Sequence, residues 1–217
     1  MNYTLIVLFS FSIFIAALIG WIRFKRISPT YYPFIFCLWI GLLNEIVSFV
    51  VTNAGYQTAV NNNIYVLIEA IIIAWQFNRW GVFQLHKKLF ISILIIYAAT
   101  WMLENFIIGK ITLIQSYFRI LYSFLTVLMS VGLLNNMLFR ESGNLLKNPV
   151  FLICIGFIIY FTYKVLVEAF WIYGLNSGEH FRMRVYDILA YINLLTNLIY
   201  ALAVLWMPQK QKFSLPF

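Results

Sequence analysis

The sequence predicts an all-α, polytopic integral membrane protein, a seven-transmembrane-helix bundle with its N-terminus outside and its C-terminus cytoplasmic. The composition predicts this class, because 63% of the 217 residues are hydrophobic and only 10% are charged, whereas about a quarter of the residues in a soluble domain are charged. Apolar windows also recur along the whole chain, and each can supply the roughly 20 residues that one helical crossing requires.

Seven apolar segments follow one another, and each is predicted to be a membrane-spanning helix. They cover about residues 4–21, 32–52, 63–80, 89–107, 112–138, 149–173 and 185–207. The first segment lacks the basic start and the cleavage pattern of a secretory signal, so it is expected to remain as a helix. Pro33 and Pro149 open the second and sixth segments, where a missing N–H is harmless. Because the connections are short, residues 1–217 are predicted to form a single membrane domain.

Lysine and arginine concentrate in alternate connections, and this bias predicts the orientation. Ten of them fall in the first, third and fifth connections and in the tail, namely Arg23, Lys25, Arg26, Arg79, Lys87, Lys88, Arg140, Lys147, Lys210 and Lys212. The other connections contain Lys110, Arg182 and Arg184. Positively charged loops stay on the cytoplasmic side, so the C-terminus is predicted inside. The net charge of +8 therefore indicates a lipid bilayer, with a prokaryotic inner membrane favoured, and no nucleic-acid partner.

Ionisable side chains interrupt five of the apolar segments, all in the predicted outer half. Lys164 and Glu168 lie four residues apart on one face of the sixth segment, close enough for an ion pair. A charge that faces lipid costs about 2.5–3.5 kcal/mol on insertion scales, so such side chains face the bundle interior. The sequence therefore predicts an outward-opening charged pocket, formed by four acids and two bases: Glu45, Glu69, Glu168, Asp187, Arg119 and Lys164.

Neutral polar and aromatic residues lie at the same predicted level as these charges. The candidate ligand site is completed by Asn44, Tyr65, Tyr122 and Asn193. Aromatic faces bind cations, and the four acids exceed the two bases, so a small polar or cationic ligand is expected. One alternative stays open, because buried ion pairs and polar side chains can fix helix register without any ligand.

Three functions are compatible with such a pocket. The first is a sensory or receptor-like protein, which needs a cytoplasmic-side protein partner because the chain contains no output domain of its own. The second is a small proton-coupled transporter, and the third is an intramembrane lipid hydrolase or transferase that uses paired carboxylates. Enzyme signatures are lacking, since the sequence contains no G-x-S-x-G, H-E-x-x-H or Gly-rich phosphate loop. His86 and His180 lie far apart, so neither a metal site nor a cofactor is predicted.

Overall fold

The computed structural model describes residues 3–140, 145–172 and 179–210, which form helices joined by short connections. The α-helices are α1 Tyr3–Ser10, α2 Ile13–Arg23, α3 Tyr32–Asn53, α4 Ala59–Arg79, α5 Lys87–Met102, α6 Tyr117–Arg140, α7 Pro149–Ile172 and α8 Glu179–Trp206. A π-helical turn, Leu103–Ile108, continues α5, and short 3-10 turns precede α3 and α7. The predicted all-helical fold is confirmed.

Within the part of the chain that the structure describes, six helical segments are long and apolar enough to cross a membrane. They are Leu5–Arg23, Pro29–Asn53, Lys87–Ile108, Tyr117–Phe139, Pro149–Ile172 and Asp187–Trp206. The helix α4 is 21 residues long but is less apolar, because it contains three consecutive asparagines together with Glu69 and Gln76. Length and composition of the six segments are those of an integral membrane protein.

Several predicted boundaries differ from the observed helices: α4 begins at Ala59 and α8 at Glu179, ahead of the predicted residues 63 and 185. The segment predicted at 4–21 is divided by a turn at residues 11–12, between α1 and α2. Ser12 donates its hydroxyl to the Phe9 carbonyl, a local hydrogen bond that competes with the helical pattern and bends helices. The segment predicted at 112–138 begins only at Tyr117, because Asn63 of α4 binds the carbonyls of Ile111 and Leu113 in the preceding connection.

The segment formed by α1 and α2 runs parallel to α8, and contacts join the two at three levels. The rings of Phe9 and Tyr191 lie 5.2 Å apart, and Asn197 Nδ2 donates to Ser12 Oγ at 2.8 Å. At the other end, the Arg23 guanidinium donates to two carbonyls in the last turn of α8, those of Val204 and Leu205, and to the carbonyl of Met207, just after the helix. A cation at this position satisfies carbonyls that have no partner within the helix and opposes the negative end of its dipole.

The remaining helices alternate in direction, so the bundle has two distinct ends. The N-terminus of α1, the starts of α4, α6 and α8, and the ends of α3, α5 and α7 lie at one end, which we call the Tyr3 end. The opposite end contains Arg23 and is called the Arg23 end. Contacts between α7 and α8 support this arrangement, because Tyr163 donates to the Val185 carbonyl while Gly156 faces Tyr200.

Four buried rings fill the half of the bundle nearest the Arg23 end, and we call them the aromatic layer: Phe34, Phe77, Phe157 and Tyr200. Ring centroids are 5.2 Å apart for Phe34 and Tyr200 and 6.0 Å apart for Phe34 and Phe157, with both pairs close to edge-to-face, a favoured aromatic geometry. Gln76 accepts the Phe34 N–H at 2.8 Å and donates to the Thr30 carbonyl. This side chain fixes the start of α3 against α4.

Gly156 permits the close approach of α7 to α8, and its substitution tests the packing. A Cβ at this position would lie 2.4 Å from Cε1 of Tyr200, whose ring is held by Phe34 and Phe157. We expect Gly156→Ala to lower the free energy of unfolding in detergent micelles by about 1–3 kcal/mol through overpacking. Gly132→Ala is the matched control, because a Cβ there meets nothing within 4 Å, and it should be neutral or stabilising. Equal losses in both variants would contradict this packing.

Candidate functional site

A cavity of about 660 Å³ lies at the Tyr3 end between α3, α4, α6 and α7, and we call it the chamber. Six of the ten predicted site residues line it: Asn44, Glu45, Tyr65, Arg119, Lys164 and Glu168. Its rim includes Ile114 and Tyr117, which are exposed. The volume falls within the range that is typical of small-molecule sites.

A triad of Glu69, Tyr122 and Lys164 forms the floor beneath the chamber and joins α4, α6 and α7. The Tyr122 hydroxyl donates to Glu69 Oε2 at 2.6 Å and accepts a short hydrogen bond from Lys164 Nζ. Lys164 Nζ is also 3.5 Å from Glu69 Oε2. The Tyr65 hydroxyl donates to the other carboxylate oxygen, Oε1, at 2.8 Å. Every member of the triad is buried, and each polar atom has a partner, as burial requires.

Aromatic rings surround the Lys164 ammonium. Its Nζ lies 5.0 Å from the ring centroid of Tyr122, 5.4 Å from that of Tyr160 and 5.5 Å from that of Phe161. These distances are within the range of cation–π attraction, which increases where water is excluded. The lysine is therefore stabilised as a cation by one carboxylate and three rings.

A second ion pair lies higher in the chamber, between α6 and α7. Arg119 Nη1 is 3.5 Å from Glu168 Oε1, and the Ser116 hydroxyl donates to Glu168 Oε2 at 2.6 Å. Arg119 Nη2 donates to Asn63 Oδ1 at 3.3 Å. Arg119 Nε is enclosed by protein and has no hydrogen-bond partner among the described residues. This ion pair joins α6 to α7 on the chamber wall.

The predicted ion pair between Lys164 and Glu168 is not the pairing that the structure contains. Lys164 turns toward Glu69 of α4, and Glu168 turns toward Arg119 of α6. The four-residue spacing places both side chains on one face of α7, but each finds its partner on a neighbouring helix. The two ion pairs thus connect three helices instead of stabilising one.

Glu104 is a buried acid that the sequence analysis did not include in the site. It is 2% exposed, lies in the π-helical turn after α5 and lines the chamber. Its two carboxylate oxygens accept the backbone N–H groups of Tyr117 and Phe118, each at 2.7 Å. These are unpartnered donors at the start of α6, where a negative charge is favoured by the helix dipole. Its position thirteen residues before that helix gives no local capping signal.

Glu45 differs from the other chamber acids in its partners: among the described residues, no lysine or arginine forms an ion pair with it, as Arg119 does with Glu168, and no backbone N–H donates to it, as two do to Glu104. Its polar neighbour is the Ser10 hydroxyl of α1. The side chain is half-buried. A carboxylate in this setting lacks the compensation that Glu69, Glu104 and Glu168 have, so a ligand cation would gain most by approaching Glu45.

A smaller cavity of about 80 Å³ continues from the chamber toward the bundle centre. It shares Glu45, Tyr65 and Tyr160 with the chamber and reaches Asn193 and Asn197 of α8. The aromatic layer bounds it, since Phe34, Phe157 and Tyr200 also line it. A cavity of this size with polar walls has room for a few water molecules.

The predicted site residues therefore occupy three levels. Glu69 and Tyr122 form the floor and do not line the chamber, while Asn193 lines only the deeper cavity. Asp187 is half-buried near the start of α8 and lines neither of these two cavities. Asn44 accepts a hydrogen bond from Asn61 Nδ2 at 2.8 Å and so belongs to the chamber wall.

Among residues 3–140, 145–172 and 179–210, no group of three or more histidine, cysteine, aspartate or glutamate side chains could hold a metal. The chamber is lined by the Glu45 carboxylate, which has no ion-pair partner among these residues, and by several aromatic side chains. No protein-family model, curated protein or solved structure matches the chain.

The cross-helix pairing can be tested by double-mutant cycles. We expect Lys164→Met alone to cost about 3–5 kcal/mol of unfolding free energy, because it leaves the buried Glu69 carboxylate without a cation. Adding Glu69→Gln should recover part of that loss, with a coupling energy of about 0.5–3 kcal/mol. The control cycle, Lys164→Met with Glu168→Gln, should give a smaller coupling. A larger coupling energy in the control cycle would instead indicate that Lys164 pairs with Glu168 along α7.

Proposed function

We propose that the protein is a sensory or receptor-like membrane protein that binds a small cationic ligand in the chamber and signals to a cytoplasmic-side protein partner. In this proposal α4 is a seventh transmembrane helix, the Tyr3 end lies outside and the C-terminus lies in the cytoplasm. The main support is that Glu45, an acid on the chamber wall, has no ion-pair partner among the described residues. A cationic group would provide that partner.

The charges in the chamber support a ligand with two kinds of polar group. Glu45 with Tyr65 and Tyr160 offers a carboxylate and aromatic faces to a cation, the combination that recognises ammonium groups. Asn62 and Gln115 also line the chamber, and their amide groups could bind an oxygen of the same molecule. An ammonium compound with a hydroxyl or carboxyl oxygen would use both kinds of group.

The proposed outside orientation is supported by the distribution of charge between the two ends. Arg23, Lys25 and Arg26 lie between α2 and α3, and Arg79, Lys87 and Lys88 lie at or near the connection between α4 and α5. Both connections belong to the Arg23 end, and basic connections favour the cytoplasmic side. These same residues form the surface on which we propose the partner docks.

The closed half of the bundle favours a receptor over a transporter. Below the deeper cavity, the aromatic layer is buried and its rings are in mutual contact, and neither the chamber nor the deeper cavity extends past these rings toward the Arg23 end. Lys164 and Glu69 are locked by mutual contacts beneath the chamber. A ligand at Glu45 would perturb the contacts among Glu69, Tyr122 and Lys164. Because these contacts join α4, α6 and α7, the three helices would shift and carry the signal toward the Arg23 end.

Ligand binding can be tested with choline as the probe and 3,3-dimethylbutanol as its neutral isostere. We expect purified protein in lipid nanodiscs to bind choline at least about tenfold more tightly than the isostere, a difference of about 1.4 kcal/mol, because only the cation is attracted by the Glu45 carboxylate and the neighbouring aromatic faces. Glu45→Gln should abolish this preference in isothermal titration. Asp187→Asn, which removes an acid outside the chamber, is the matched control and should retain it. No preference in the wild type would overturn the proposal.

A proton-coupled transporter is the second candidate, and the deeper cavity favours it. That cavity extends the polar wall from Glu45 to Asn193 and Asn197, which is the first part of a route across the bundle. For such a function the aromatic layer would have to open. The lipid hydrolase or transferase has less support, because Glu69 is already engaged by Lys164 and two tyrosine hydroxyls and so offers no free carboxylate to work with Glu45.

Flux measurements separate receptor from transporter. With radiolabelled choline and an imposed pH gradient, we expect proteoliposomes of the wild type to show saturable binding but no uptake above that of Glu45→Gln proteoliposomes. We expect no uptake because the buried rings of the aromatic layer would block passage toward the Arg23 end. Uptake that depends on the gradient and is lost in Glu45→Gln would identify a transporter, and the receptor proposal would then be wrong.

A further inference from the structure

Glu45 lines a third cavity, which lies between α1 and α3. This cavity has a volume of about 120 Å³, and we call it the lateral gap. On the α3 side its wall is mainly polar, with Glu45, Ser48 and Thr52 at i, i+3 and i+7 of one helix face, together with Phe49. On the α1 side it includes Ile6 and Val7, followed by Ser10. The gap therefore has one mainly polar wall and one largely apolar wall, and it ends at the uncompensated acid of the chamber.

The packing of α1 explains why the gap exists. The helix α1 packs against α8, where the rings of Phe9 and Tyr191 are 5.2 Å apart. The turn before α2 contacts α3, where Phe11 meets the Phe49 ring edge-to-face with centroids 6.0 Å apart. Both phenylalanines line the gap and so form part of its wall beside Glu45.

Apolar side chains next to the gap on both helices are exposed at the surface of the bundle. Leu8 of α1 is 64% exposed, and Val50 of α3 is 59% exposed. In a membrane-spanning helix such side chains face acyl chains. The lateral gap lies beside these two faces and shares Glu45 with the chamber, whose rim at Ile114 and Tyr117 is separate.

We propose that the ligand of the chamber is a single-chain amphiphile with a cationic amine head, which enters from the bilayer through the lateral gap. The inference rests on the proposed function, since it uses the same acid. The ammonium head lies at Glu45, where both cavities meet. The hydroxyls of Ser48 and Thr52 replace water around the head during passage, and the alkyl chain remains against Ile6 and Val7 with its end among the lipids.

The charges of the bundle favour a cationic head over an anionic one at this position. Ser10, Ser48, Thr52 and Thr58 are neutral, and Glu45 is the single charged residue that lines the gap. An anionic head would have to pass this carboxylate before it reached Arg119 or Lys164 on the chamber wall. A phosphate or carboxylate head without an amine is therefore excluded from this path by like charge.

Photolabelling tests the path. The probe is a long-chain alkyltrimethylammonium that carries a diazirine in its chain, added to the protein in nanodiscs and mapped by mass spectrometry. We expect labelled peptides from α1 and α3, labelling reduced by excess choline, and at least tenfold less labelling in Glu45→Gln. Val7→Trp, which fills the gap, should reduce probe labelling by about tenfold while choline affinity stays unchanged. Leu8→Trp, on the lipid-facing side of the same helix, is the matched control.

The outcomes separate this inference from the proposed function. If choline binds in a Glu45-dependent manner but the probe labels only peptides of residues 109–117, ligands enter through the rim and the lateral path is wrong. If Val7→Trp and Leu8→Trp have equal effects on labelling, the path is also wrong. If neither choline binding nor probe labelling depends on Glu45, both proposals fail. Labelling of α1 and α3 that requires Glu45 supports the path, with or without measurable choline binding.

Discussion

The ion pair between Lys164 and Glu69 is the constraint on which the rest of the bundle depends. Two charges inside an apolar helical bundle are tolerated only when each is paired and every remaining polar atom has a partner. Tyr65 and Tyr122 supply those partners, so four side chains from α4, α6 and α7 must meet at one point. Once they meet, the rotation of each helix about its axis is determined. The position of the chamber directly above them then follows.

The same constraint explains why α4 is the least apolar of the long helices. Its polar residues are each used by another part of the fold: Asn63 holds the connection before α6, Glu69 receives the lysine of α7, and Gln76 fixes the start of α3. A helix that bonds to three neighbours at three levels belongs inside the bundle, where polar side chains have partners. The more apolar helices can then face outward. The low hydropathy of α4 reflects its role in assembly.

Composition and charge patterning were enough to predict the class of fold, the approximate spans and six of the side chains that line the chamber, because lipid excludes unpaired charge and so forces such residues inward. The partners could not be predicted. Spacing along α7 places Lys164 and Glu168 on one face but carries no information about which helices stand opposite, so the pairing with Glu69 and Arg119 was missed. The role of Glu104 was missed for a related reason, since the backbone groups that it binds belong to a different helix.

The aromatic layer near the Arg23 end has an electrical consequence when the bundle spans an energised membrane. Under the proposed function, a hydrated chamber would bring the potential of the adjacent solution inward, so a large share of the voltage would fall across the buried rings of the aromatic layer. Moving one elementary charge through the full field requires about 2.3 kcal/mol per 100 mV, but a cation bound at Glu45 would cross only part of that field. Ligand binding would therefore depend only weakly on the membrane potential.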